Sequence, residues 1–110
     1  MSMLPPETLA AQVMRDTGVN LLENEILAEK AASLGHHGRL VEKSLAALRA
    51  FDPAAGSDED RPELVRAAAR HVWAFFVQRE LCGLRDQKQM IHFYEIPGEV
   101  LARLGAIEKR

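Results

Sequence analysis

The sequence has little cysteine, few aromatic residues and no long apolar run. Its single cysteine, Cys82, cannot form a disulfide within the chain, so the protein needs no oxidising compartment. The longest strictly apolar run covers residues 72–77, whereas a membrane-spanning helix needs about 20 residues. The first residues also lack the basic and apolar regions of a signal peptide. We therefore expect a cytoplasmic protein with no membrane-spanning segment.

A strongly basic region is also missing. Residues 1–60 contain 5 Lys or Arg and 10 Asp or Glu, while residues 61–110 contain 9 and 6. Opposite charges in two halves of one chain suit packing against each other, or against a second copy, better than binding to a polyanion. The charge pattern therefore argues against a nucleic-acid partner.

The residues that are present indicate a small helical domain. A length of 110 residues fits one domain spanning 1–110, and no run alternates with period two for long enough to predict a strand. Leu27, Leu34, Val41 and Leu48 recur every seven residues, and this repeat keeps its phase across the glycines of segment 35–38. We predict one long helix over about 21–51. A rival interpretation makes 35–38 a hairpin loop between two helices.

The remaining elements are shorter, apart from one core helix. Gly18 is expected to end a first short helix, with Asn20 capping the long one, so that 1–19 forms a separate segment that could fray. A wide apolar face predicts a core helix over about 61–82, antiparallel to the long helix. This face consists of Leu64, Val65, Ala68, Ala69, Val72, Trp73, Phe76, Val77 and Leu81. Short helices are expected at about 85–94 and 97–104, the second closed by Gly105 and packed on the core.

No residue pattern predicts catalysis, a metal or a cofactor. Adjacent residues such as His36 and His37 point about 100° apart on a helix, so both can rarely bind one ion. Cys82 is expected at the negative end of a helix, which does not favour a thiolate, and we predict a buried, inert thiol. The sequence therefore argues against an enzyme.

A polar cluster follows the most apolar part of the chain. Glu80 continues an apolar stripe and is expected to be partly buried beside a cation. A structural ion-pair network and a ligand-binding pocket are both compatible with this pattern, and convergent unpaired polar groups would indicate the pocket. The candidate ligand-binding residues are Trp73, Arg79, Glu80, Arg85, His92 and Tyr94.

Small residues recur along the long helix and predict a close helix crossing, within the chain or between two copies. Together with the seven-residue repeat they define the residues expected in close helix packing or in a dimer interface. These are Leu27, Ala31, Leu34, Gly35, Gly38, Val41, Leu45 and Leu48.

The segment 85–105 can also be read as a helix-turn-helix that binds nucleic acid. Its second helix would begin with Pro97, Gly98 and Glu99, and this acidic start would face phosphate poorly. We therefore expect this segment to fold over the core instead.

Three stretches resemble a family of short bacterial proteins of uncharacterised function. They are VWAFFVQRELCGLRD at 72–86, IPGEVLARLG at 96–105 and LAALRAFD at 45–52. The resemblance begins near Leu21, and the N-terminal segment departs from it. The resemblance implies no activity and no site residues.

These observations lead to one prediction of function. We expect an all-α bundle that acts as a non-catalytic assembly, adaptor or regulatory module and forms a homodimer through its long helix. The alternatives are a small-molecule-binding protein or enzyme with a pocket near Trp73, Glu80 and His92, and a nucleic-acid binder using residues 85–105.

Overall fold

The computed structural model describes the backbone of residues 6–56 and 58–108, and the side chains of residues 20–56 and 58–104. Within these ranges the chain forms four α-helices, one 3-10 turn and no strand. The helices are α1 (Pro6–Ala50), α2 (Arg61–Leu81), α3 (Gln87–Phe93) and α4 (Gly98–Glu108), and the turn is Pro53–Ala55. The all-α class is confirmed. The chain forms two compact units, a first unit of residues 1–32 and a second unit of residues 33–110.

Helix α1 is continuous and includes Gly35 and Gly38. The long-helix prediction is confirmed, and the rival hairpin loop at 35–38 is wrong. The helix also runs through Gly18 and Asn20, so the predicted break and cap there are wrong. One glycine costs a helix about 1 kcal/mol relative to alanine, which the residues on either side can compensate. The expectation that 1–19 frays concerns residues 1–5 and side chains 6–19, which lie outside the described part.

The core of the second unit forms between α1, α2 and α4. The C-terminal half of α1 lies antiparallel to α2, because Ser33 accepts a hydrogen bond from Gln78 at one end while Ala47 and Leu64 line one groove near the other. The core residues are Val41, Leu45, Leu48, Val65, Ala68, Ala69, Val72, Phe75, Ile96 and Val100.

Helix α2 ends in a motif that closes its last turn. Gly83 adopts a left-handed conformation with φ of 82°, which a residue with a Cβ adopts only at a cost. The Gly83 N–H donates to the Glu80 carbonyl at 2.9 Å, and the Leu84 N–H donates to the Arg79 carbonyl at 2.8 Å. This pattern satisfies carbonyls that the helix leaves unpaired. The predicted C-terminal boundary of the core helix is therefore confirmed.

The C-terminal helices pack back on the core. The Asp86 side chain caps α3 by accepting from the Gln89 N–H at 3.2 Å. Leu101 and Leu104 of α4 pack against the core beside the buried Ile96 and Val100, as the sequence predicts. Gly105 does not end α4, which continues to Glu108.

Candidate functional site

Arg79 is the buried charged residue of the predicted polar cluster, with only 9% of its surface exposed. Its Nε donates to Gln87 Oε1 and its Nη2 to the Asp86 carbonyl, both at 3.3 Å. The guanidinium lies 5.8 Å from the centre of the Phe75 ring, within the range of a cation–π interaction. Arg79 thus ties the end of α2 to the start of α3.

Gln87 extends the Arg79 network. Gln87 Nε2 donates to the Phe76 carbonyl at 3.4 Å, so both ends of the Gln87 amide are used. Among the described residues, no buried side-chain nitrogen or oxygen is left without a hydrogen-bond partner. A binding pocket would present unpaired polar groups to its ligand, whereas a structural network uses them internally. For Arg79 and Gln87 the geometry is that of a structural network.

The other candidate ligand residues are spread over several surfaces. Glu80 is exposed rather than partly buried, because the neighbouring Arg79 takes the inward position, and it lines a groove with Arg85. His92 is exposed and lines a different shallow groove with Lys88, Phe93 and Glu95. Trp73 is half-buried on α2, and so is Cys82 at its end, in place of the fully buried thiol that we predicted.

Tyr94 packs in the second unit beside Gly38. Its ring meets Phe75 edge-on, with centroids 5.6 Å apart, and Arg49 Nη2 donates to the Tyr94 and Glu95 carbonyls at 2.8 and 3.0 Å. Burial raises the pKa of Tyr94, the Glu42 carboxylate raises it further, and Arg79 opposes both. A Cβ on Gly38 would lie 2.8 Å from the Tyr94 hydroxyl. Gly38 therefore permits a close contact within the chain.

The histidines pack at the surface of the helices. The His36 and His37 rings meet edge-on at 5.6 Å. Burial lowers the pKa of His71, and Arg70 and His37 lower it further. In the described part of the chain, no three His, Cys, Asp or Glu side chains lie close enough together to hold a metal ion.

The residues predicted for dimer or close packing fall into two groups. Val41, Leu45 and Leu48 are buried in the core of the second unit, with Gly38 buried beside them. Leu34 packs partly against that core, and Gly35 is half-buried. Leu27 and Ala31 are exposed.

Large apolar side chains remain exposed in the first unit. Every residue from 20 to 32 is exposed, including Leu21, Leu22, Ile26 and Leu27, whose surfaces are 52 to 62% accessible. Single exposed apolar residues are ordinary on protein surfaces, whereas a contiguous exposed apolar patch is typical of an interaction site. The sequence reasoning selected only Leu27 of the four, because it followed the seven-residue repeat alone.

Part of this apolar surface lies on one side of α1. At about 100° per residue, Glu23, Ile26, Leu27 and Lys30 fall within about 100° of one another, with Leu22 at the edge. We call these five residues the docking face. Leu21 lies on the opposite side of the helix.

Within the described residues, no helix combines the length and apolar character needed to cross a membrane. A family model described as a family of unknown function, DUF6665, matches residues 1–110. The chain belongs to this family. The DUF6665 match confirms the resemblance to an uncharacterised family, and it begins at residue 1, so the expectation that the N-terminal segment departs is wrong. No curated protein and no solved structure matches the chain.

Proposed function

We propose that this DUF6665 protein is a non-catalytic assembly module that forms a homodimer through the docking face of α1. One observation carries the proposal: Leu22, Ile26 and Leu27 are each more than half exposed within two turns of one helix. Apolar side chains grouped in this way are stabilised when another surface covers them.

Burial of the apolar side chains of the docking face contributes modestly to a dimer. Full burial of a leucine or isoleucine contributes about 1.5 to 3 kcal/mol, so covering the exposed half of one contributes about 1 kcal/mol. In a two-fold dimer each of these three residues is covered once in each copy, which makes six covered side chains. Six half-exposed side chains then contribute about 6 kcal/mol, against association costs of a similar size. A micromolar dissociation constant corresponds to a net of about 8 kcal/mol, so contacts beyond these six side chains must supply most of the affinity of the micromolar dimer that we propose.

The alternative functions have weaker support. Arg79 is held by Gln87 and by the Asp86 carbonyl, and no buried side-chain nitrogen or oxygen of the described residues is unpaired, which weakens the case for a ligand pocket there. A nucleic-acid surface over 85–105 is disfavoured because Glu99, in the first turn of α4, is held by Arg61 in a bidentate ion pair. We also infer a location in the bacterial cytoplasm, consistent with a chain that needs no disulfide.

Replacing the apolar centre of the docking face tests the proposal. In the variant Ile26→Gln with Leu27→Gln, both new residues retain good helix propensity, so the loss falls on the interface. Removing four apolar side chains from each dimer is expected to raise the dissociation constant at least about 100-fold in sedimentation equilibrium.

Ala28→Gln is the matched control, because Ala28 is exposed in the same turn and points away from the docking face. This variant should dimerise like the wild type. A double variant with an unchanged dissociation constant would show that the dimer uses another surface.

A further inference from the structure

We infer that two copies pair antiparallel through the docking face, so that Glu23 of each copy faces the partner's Lys30. This inference rests on the proposed dimer and adds its orientation and its source of specificity. It follows from the order of the residues along the face, from their exposure and from their charge.

The docking face is self-complementary about its centre. Glu23 comes three residues before Ile26, and Lys30 comes three residues after Leu27. A two-fold axis passing between Ile26 and Leu27 therefore exchanges the two apolar residues and brings each acidic end over a basic end. An unrelated helix would have to reproduce this order of charges, whereas a second copy carries it already.

The two charged side chains are accessible to a second copy. Glu23 and Lys30 are both exposed, and none of the ion pairs in the described part of the chain involves either one. They are seven residues apart, which is about 10.5 Å along the helix axis, too far for a direct contact within α1. Side chains pair along a helix at spacings of three or four residues instead.

Orientation decides whether these charges attract or repel. In a parallel, in-register pair, Glu23 would face the partner's Glu23 and Lys30 the partner's Lys30, and both contacts are repulsive. An antiparallel pair forms two attractive contacts instead. Glu25 and Glu29 lie outside the strip that contains Glu23 and Lys30, so they do not alter this balance.

Charge reversal tests the orientation. Glu23→Lys alone, or Lys30→Glu alone, creates two like-charge contacts in the antiparallel dimer and should raise the dissociation constant about tenfold at low salt. The double variant Glu23→Lys with Lys30→Glu restores both contacts and should return the constant to within about threefold of the wild-type value. Glu25→Lys, an equal charge change off the face, is the control and should have little effect.

The outcomes separate this inference from the proposed function. If the wild type dimerises and the Ile26→Gln, Leu27→Gln variant does not, but neither single reversal weakens the dimer, the antiparallel arrangement is wrong and the dimer stands. If the wild type remains monomeric, both the dimer and its antiparallel arrangement are overturned.

A distance measurement gives an independent result. A spin label is attached at Asn20→Cys in a Cys82→Ala background. The antiparallel dimer places the two labelled positions about 20 Å apart along the axis, because residue 20 aligns with the partner's residue 33. A parallel dimer would place them side by side at about 10 Å, and that distance would contradict the inference.

Discussion

At the scale of single residues, Gly35 and Gly38 of α1 differ in the atoms that face them. A Cβ on Gly38 would lie 2.8 Å from the Tyr94 hydroxyl and 3.7 Å from a Phe75 ring carbon. A Cβ on Gly35 would meet only the end of the Arg39 side chain, at 3.3 Å, and that flexible group can move. The sequence pattern treated the two glycines alike because spacing alone does not show what faces each one.

Substitution by alanine should therefore change stability in opposite directions. Gly35→Ala gains helix propensity and should stabilise the protein by up to about 1 kcal/mol. Gly38→Ala gains the same propensity but crowds Tyr94, a cost of about 1 to 3 kcal/mol, so it should destabilise by about 1 kcal/mol net. Urea unfolding at one fixed protein concentration measures both.

Tyr94→Phe supplies the matched test, because it removes the hydroxyl that the new methyl would contact. Gly38→Ala should cost less stability in the Tyr94→Phe background than in the wild type. Equal costs in the two backgrounds would show that the contact with Tyr94 does not decide the need for glycine.

His71 makes stability depend on pH. Burial holds its pKa below the ordinary value of 6.5, with Arg70 and His37 adding to the effect. A base with a lowered folded pKa binds its proton more readily when unfolded, so stability falls as pH drops below about 6.5 toward the folded pKa. His71→Gln should flatten the dependence of unfolding free energy on pH between 7 and 5. An identical slope in wild type and variant would contradict this. Arginines lower the pKa values of Glu63 and Glu99, so these carboxylates affect the unfolding free energy at a more acidic pH than His71 does.

At the scale of elements, the seven-residue periodicity predicted the extent of α1 better than the local start and stop signals did. The seven-residue repeat correctly indicated that α1 continues through Gly35 and Gly38. The signals at Gly18 and Asn20 predicted a break that is absent. A cap residue or a glycine makes a helix end possible, but only the energy of alternative backbone paths decides whether the end occurs.

The apolar face of α2 was predicted only in part. Val65, Ala68, Ala69 and Val72 are buried as expected, but Phe75 is buried and Leu81 is 73% exposed. The turn at Gly83 leads directly into α3, whose first residue, Gln87, hydrogen-bonds to Arg79 and to the Phe76 carbonyl. The Tyr94 ring lies edge-on against Phe75 with centroids 5.6 Å apart, and no local pattern in α2 encodes where this later part of the chain returns.

The candidate site was harder to predict than the fold. The sequence singled out Arg79 and Glu80 because charged residues followed an apolar run, but it could not show which one turns inward. It drew attention to Leu27 through the repeat and missed Leu22 and Ile26. Whether Leu22 and Ile26 are buried or exposed depends on how the chain packs, and the spacing of apolar residues in the sequence does not show this.

At the scale of the whole molecule, the two units differ in how they use apolar side chains. Residues 33–110 bury a core drawn from α1, α2 and α4 together with Ile96. In the first unit, every described side chain from 20 to 32 is exposed. Helices in proteins gain most of their stability from packing. In the proposed dimer, a second copy would pack against the exposed apolar side chains in this part of α1.

Light scattering coupled to size exclusion tests the dimer most directly. The chain has a mass of 12.2 kDa, so a dimer has twice that, 24.4 kDa. We expect a mass near 24.4 kDa at about 100 μM, falling toward 12.2 kDa on dilution below about 1 μM. A mass of 12.2 kDa at every concentration up to about 100 μM would contradict the account.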